Sequence, residues 1–131
     1  MVIGIGTDLV QIARIRHAMD TLAPGALARM FTAAELAVAK EKAKPEEYLA
    51  TRFACKEAVF KALAPHTAKK RFDLRIVETL NHPDGSPYIH ITDPLQAVMQ
   101  EAGVRQILVS ITTEADLAQA FVVCTDQEPA C

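Results

Sequence analysis

Tryptophan is absent from this chain of 131 residues, tyrosine occurs twice, phenylalanine five times and glycine five times. So few aromatic rings, with a pI near 6.1 and no recognised reader motif, argue against a nucleic-acid-binding protein. The three cysteines, Cys55, Cys124 and Cys131, are odd in number and lack any Cys-x-x-Cys spacing. That excludes a disulfide framework and points to reduced thiols in a cytosolic setting. No apolar run approaches the roughly 18 residues of a membrane span, and no basic segment followed by an apolar one opens the chain. A cytoplasmic protein without a membrane anchor is the expectation. The length suits one domain over residues 1–131, large enough to bury roughly two-thirds of its unfolded surface without a disulfide or structural metal.

What is present is unevenly charged. Residues 1–71 hold 12 Lys/Arg against 7 Asp/Glu, whereas residues 72–131 hold 2 against 9. Such a split reads either as ordinary solvated surface or as a basic face for an anionic ligand or acidic partner.

Hydrophobic periodicity gives the elements. VIGIG at residues 2–6 alternates as a short strand with close backbone approach, leading into Thr7-Asp8. From Gln11, the residues Ile12, Ile15, Met19 and Leu22 recur at helical spacing until Pro24-Gly25. Thr32 with Glu35 three residues on is a capping box, opening a second helix that should reach Lys44. Pro45 suits the first turn of a third helix through Ala64. FDLRI and YIHIT, separated by NHPDGSP, read as a hairpin. Asp93 caps a fourth helix ending at Gly103, and QILVSIT and LAQAFVVCT return as strands. Helices gather early and antiparallel strands late, an α+β layout.

The stretch RFACKEAVFKAL, residues 52–63, places Glu57 among apolar side chains. On a helical wheel Leu49, Phe53, Phe60 and Leu63 share an arc of roughly 80°, the expected buried face, and Glu57 lies about 40° from Phe53 at its edge. A carboxylate there needs a partner, because desolvating it alone is costly. Two readings stand. Lys61, four residues on, offers a helical ion pair. Alternatively Asp8, perched between the glycine-bearing strand and the first helix, joins Glu57 in holding magnesium (Mg²⁺), which prefers oxygen ligands and takes its remaining positions from water and phosphates.

Together GIGTDLVQIARI and YLATRFACKEAVFKAL resemble the two signatures of the small 4'-phosphopantetheinyl transferases of the holo-acyl-carrier-protein synthase type, and FTAAEL, DLRIV, DGSPYI and VSITT follow in that family's order. The resemblance implies Mg²⁺-dependent transfer of 4'-phosphopantetheine from coenzyme A to a serine of apo-acyl carrier protein, releasing adenosine 3',5'-bisphosphate. It implies a homotrimer with active sites at subunit interfaces. By the same matching, Asp8 and Glu57 are the metal ligands and Lys61 lies against the reacting phosphates. Lys44 and Arg52 fall at basic positions near the coenzyme A phosphates. Arg14 and Phe53 fall where the family meets the carrier protein. The resemblance assigns no base for the serine proton; a metal-oriented water or a carboxylate is the expected acceptor.

Three departures stand against the pattern. Ala64-Pro65-His66-Thr67 replaces a Gly-Thr-Gly loop, Gly85-Ser86-Pro87 replaces Gly-Lys-Pro, and Thr113 stands where many members have His. Pro65 removes a backbone donor that would face the nucleotide. Lys69, Lys70 and Arg71 are then either solvated loop or substitute charge for the phosphates. His17, His66, His82 and His90 show no metal-ligand spacing. A non-catalytic protein of the same fold that binds coenzyme A or acyl carrier protein is the alternative, and a structural oligomer with a plain Glu57–Lys61 salt bridge is a third reading.

Overall fold

The computed structural model describes residues 1–130, so Cys131 lies outside the described residues. Its first element, β1 (Val2–Gln11), runs well past the VIGIG alternation. Antiparallel pairing with β5 (Leu117–Thr125) carries it on, Asp8 standing opposite Ala120 and Gln11 opposite Leu117. Asp8 therefore lies inside a strand and not at a strand–helix junction. β4 (Gln106–Glu114) pairs with the other edge of β5, giving the order β1-β5-β4. A separate hairpin joins β2 (Val77–Asn81) to β3 (Pro87–Ile91).

Among the helices, α1 (Ile12–Thr21) follows β1, α2 (Ala33–Lys40) carries the capping box at Thr32 and Glu35, and α3 (Pro45–Leu63) is the longest. α2 stops short of the anticipated Lys44. The last buried side chain is Ala39, and Pro45 disfavours the helical region for the residue before it, so Lys44 sits at φ −125° and ψ 79°. The expected strand at FDLRI is instead a 3₁₀ turn over Leu74–Ile76. The Asp73 carboxylate accepts from the Arg75 N–H at 2.8 Å, and this local bond diverts the backbone before β2 begins. α4 (Asp93–Ala102) is capped by Thr92 and not by Asp93: the Thr92 hydroxyl accepts from the Leu95 N–H at 3.2 Å and donates to the Ile76 carbonyl at 2.7 Å. Gly103 ends α4 in the left-handed region, as anticipated. No described helix is long and apolar enough to cross a membrane.

α3 is the axis of the molecule. Packed against the sheet, α1, α2 and β2, it buries Ala50, Ala54, Cys55, Ala58, Val59, Ala62 and Leu63 completely. The anticipated arc is thus only part of its buried surface, and two members, Phe53 and Phe60, are merely half-buried. Being enclosed on several sides, the helix cannot show a single apolar stripe.

Two contacts fix its position. Gly4, Gly6, Asp8 and Val10 alternate along one face of β1, and a Cβ on Gly4 or Gly6 would stand 2.2 Å from the Ala62 carbonyl oxygen or 1.9 Å from that of Ala58. On another side the Lys56 ammonium, fully buried, meets the fully buried Glu35 carboxylate at 2.7 Å and donates to the carbonyls of Leu74 and Val77. Glu35 in turn accepts from the N–H groups of Thr32 and Thr79, at 2.9 and 3.3 Å.

Gly6→Ala is expected to destabilise the fold by about 3 kcal/mol, since the obstacle is a main-chain carbonyl that no side-chain truncation relieves. The urea midpoint measures this, and an unchanged midpoint would contradict the close approach. Lys56→Met strands the Glu35 charge and should cost about 3–5 kcal/mol, with Glu35→Gln in the same chain recovering part of the loss.

Candidate active site

The close approach of β1 to α3 brings Asp8 beside the second half of that helix. The Lys61 ammonium lies 3.2 Å from the Asp8 carboxylate and 3.0 Å from the Thr7 carbonyl. The helical ion pair that one reading gave to Glu57 and Lys61 is not the one formed; the lysine turns to the strand instead. Glu57 is half-buried and makes no ion pair among the described residues. Its carboxyl is held above the ordinary carboxylate range, first by desolvation and then by the negative charge of Asp8, with Lys61 and Arg71 acting in opposition. Two carboxylates that feel each other's charge, with one ammonium paired to Asp8, leave an excess of negative charge that a cation would balance.

Glu57 and Lys61 line a cleft of about 510 Å³ whose other walls include Phe60, Ala64, Lys70, Arg71 and Phe72. Among the described residues no set of three or more His, Cys, Asp or Glu side chains gathers in a metal-binding cluster. The donor set of Asp8 and Glu57 fits a hard cation that takes its other ligands from water and a bound phosphate, and does not fit a protein-caged zinc.

Lys44 and Arg52 lie elsewhere, on a larger cleft of about 890 Å³ between α3, the β2–β3 hairpin and the end of β4. Arg52 is 4% exposed, stacks with its guanidinium carbon 4.1 Å from the centre of the Tyr48 ring, and donates to Thr51 at 3.0 Å and to Asn81. No carboxylate pairs with it among the described residues, and its Nε has no partner. Lys42 and Lys44 are exposed at the rim, with Glu47. A desolvated guanidinium lacking a counter-ion is a ready anion site. Arg14 is exposed on α1 and Phe53 half-buried on α3, and these two helices pack together.

Comparison with known proteins decides the family. The pattern of the 4'-phosphopantetheinyl transferase superfamily matches residues 4–122. This chain belongs to that superfamily. A holo-acyl-carrier-protein synthase of Desulforudis audaxviator is 38% identical over 123 residues, covering 94% of this chain and 92% of its own. The crystal structure of holo-acyl-carrier-protein synthase from Neisseria meningitidis superposes with a TM-score of 0.85 at 32% identity, over 95% of this chain and 99% of that one. The Helicobacter pylori synthase, solved in complex with coenzyme A, does so with a TM-score of 0.77 at 28% identity, over 92% and 99%. The anticipated α+β transferase fold is the one found.

For this phosphopantetheinyl transferase chain the departures from the pattern are not scattered. Thr113 lines the Arg52 cleft, as do Gly85 and Pro87 on either side of the departing Ser86, and Ala64 lines the Glu57 cleft. Tyr48 and Asn81, which orient Arg52, escaped sequence reasoning. The Tyr48–Arg52 spacing of one helical turn was the available signal, whereas nothing in the sequence ties Asn81 to a helix 29 residues away.

Arg52, with no counter-ion among the described residues, generates a test by thermal unfolding. Adenosine 3',5'-bisphosphate at about a hundred times its Kd should stabilise the protein by about 2.7 kcal/mol. Arg52→Gln should fold and lose most of that gain; an equal gain in the variant would remove Arg52 from the anion site.

Proposed function

We propose that this protein transfers 4'-phosphopantetheine from coenzyme A to a serine of apo-acyl carrier protein, giving holo-acyl carrier protein and adenosine 3',5'-bisphosphate. The observation that carries the reading is the Lys61 ammonium, on the cleft that Glu57 lines, pairing with Asp8, whose charge acts on Glu57, within a chain that resembles the synthases in fold and sequence over most of its length. Asp8 and Glu57 would hold Mg²⁺, which supplies charge neutralisation at the pyrophosphate when bound. Lys61 sets a positive charge against the phosphate that leaves. The carrier serine oxygen gives its proton to a carboxylate or a water and forms a bond to the phosphorus bearing pantetheine while the pyrophosphate P–O bond breaks, and the departing oxygen leaves with adenosine 3',5'-bisphosphate.

Lys44 and Arg52 hold other phosphates of the donor, as the buried and unpaired Arg52 supports. Lys44 immediately precedes α3 and Arg52 projects from its first half, about 140° around the helix from Glu57. One donor therefore meets both groups most simply between two copies of the chain. The outer face of the three-stranded sheet favours such an assembly: Ile5, Leu9, Leu108 and Phe121 are 61%, 58%, 48% and 46% exposed there. A homotrimer with active sites at its interfaces satisfies both observations. Arg14 and the half-buried Phe53 offer a basic and aromatic contact for the acidic carrier protein. The buried Cys55 and Cys124, free and with thiols pushed up to about 11, suit the cytoplasm.

Intact-mass measurement of a carrier protein incubated with this protein, coenzyme A and Mg²⁺ should show a gain of one phosphopantetheine. Glu57→Gln is expected to slow it by roughly 10²–10³-fold, the scale for losing one electrostatic contact to the transition state, and chelation to abolish it. Coenzyme A binding without any mass gain would make this a binding protein of the same fold. Sedimentation should give about three times the 14.3 kDa chain mass, and Phe121→Asp should dissociate the assembly and lower transfer while far-UV circular dichroism stays unchanged.

A further inference from the structure

In the turn that replaces a glycine loop beside the Glu57 cleft, the main-chain N–H groups of Ala64, Thr67 and Ala68 are already engaged and Pro65 has none. The Ala64 N–H is bonded to the Phe60 carbonyl, the Thr67 N–H is taken by the Ala64 carbonyl, and the Ala68 N–H reaches the Glu101 carboxylate at 3.3 Å. Side chains add positive charge on this side of the cleft. Three cations line it, Lys61, Lys70 and Arg71. Lys61 is engaged with Asp8 and the Thr7 carbonyl, and Lys70 donates to the carbonyls of Ala64 and Thr67. Arg71 has no acceptor among the described residues, yet its charge is felt at Glu57.

The segment bearing Arg71 is tethered. Lys70 braces the turn, the Thr67 hydroxyl donates to the Lys69 carbonyl at 2.6 Å, and Phe72 packs on Phe60 of α3 with ring centres 5.4 Å apart. The guanidinium is thus presented at the cleft from an anchored chain, which lowers the ordering cost of using it.

We propose that Arg71 binds a phosphate of the donor substrate, taking by side-chain charge the role that main-chain N–H groups of a glycine loop would otherwise fill. The inference rests on the transferase reading above. A guanidinium suits the task because its fork of donors matches two phosphate oxygens at once.

The test uses the full chain with coenzyme A, acyl carrier protein and Mg²⁺. Arg71→Gln should raise both the KM for coenzyme A and its calorimetric Kd by about tenfold, the scale of one charge-assisted hydrogen-bonded contact. The KM for the carrier protein should stay unchanged, and Arg71→Lys should restore part of the affinity. Arg105→Gln, which removes the same charge far from the cleft, should behave as wild type. Repeating the comparison with 3'-dephospho-coenzyme A locates the contact: a loss that persists places Arg71 on the pyrophosphate, and one that disappears places it on the 3'-phosphate. A wild-type Kd for coenzyme A in Arg71→Gln overturns the proposal, as does a loss shared equally by the carrier protein. If the wild-type protein itself transfers nothing, the transferase reading fails, whereas an active wild type with an unaltered Arg71→Gln defeats this inference alone.

Discussion

The candidate active site depends on how closely one strand lies against one helix. At Gly4 and Gly6 the backbone of β1 stands so near the carbonyls of Ala62 and Ala58 that no side chain fits between them. The alanine face of α3 is the complementary half of that contact: Ala50, Ala54, Ala58 and Ala62 recur every four residues and are wholly buried. Because side chains alternate along a strand, the periodicity that turns Gly4 and Gly6 toward the helix also turns Asp8 toward it, one step farther. The carboxylate thereby reaches Lys61, and its charge acts on Glu57. Glycine here serves proximity alone, since neither residue takes a left-handed conformation.

Burial sorts the charges of the molecule into different roles. Glu35 and Lys56 are fully enclosed and matched, with each remaining donor or acceptor directed at the backbone of a neighbouring element, so they tie α2, α3 and β2 together. Arg52, nearly as enclosed, has hydrogen-bond partners but no ion-pair partner among the described residues. Glu57 keeps a carboxylate half out of water with another carboxylate beside it. The first arrangement is complete within the chain, whereas the other two leave an excess of positive and of negative charge that a bound molecule would balance. Neighbouring residues on α3, Lys56 and Glu57, fall on opposite sides of this division because successive helical positions are turned by about 100°.

Much of the architecture could be read from local chemistry. The capping box at Thr32 and Glu35, proline in the first turn of α3, and the Gly103 stop are each specified by a few adjacent residues, and each stands where expected. The misplaced elements had their causes elsewhere or in a competing local bond. β1 is extended by pairing with a strand more than a hundred residues away, and FDLRI is bent by the Asp73 side chain bonding its own backbone. The faces of α3 were misjudged because periodicity assumes one buried side, and this helix is covered on several.

The sequence by itself determined the residue types and order that place the chain among the phosphopantetheinyl transferases, the order of helices and strands, and the candidacy of Asp8, Glu57, Lys61, Lys44 and Arg52. Tertiary structure alone decided that Lys61 pairs with Asp8 and not with Glu57, that Lys56 is a buried partner of Glu35, and that Arg52 belongs to a separate cleft from Glu57. Helical spacing states which side chains on one segment are within reach of each other. Which of them actually pair is decided by what another segment brings closer, and that depends on packing distances that a one-dimensional pattern does not contain.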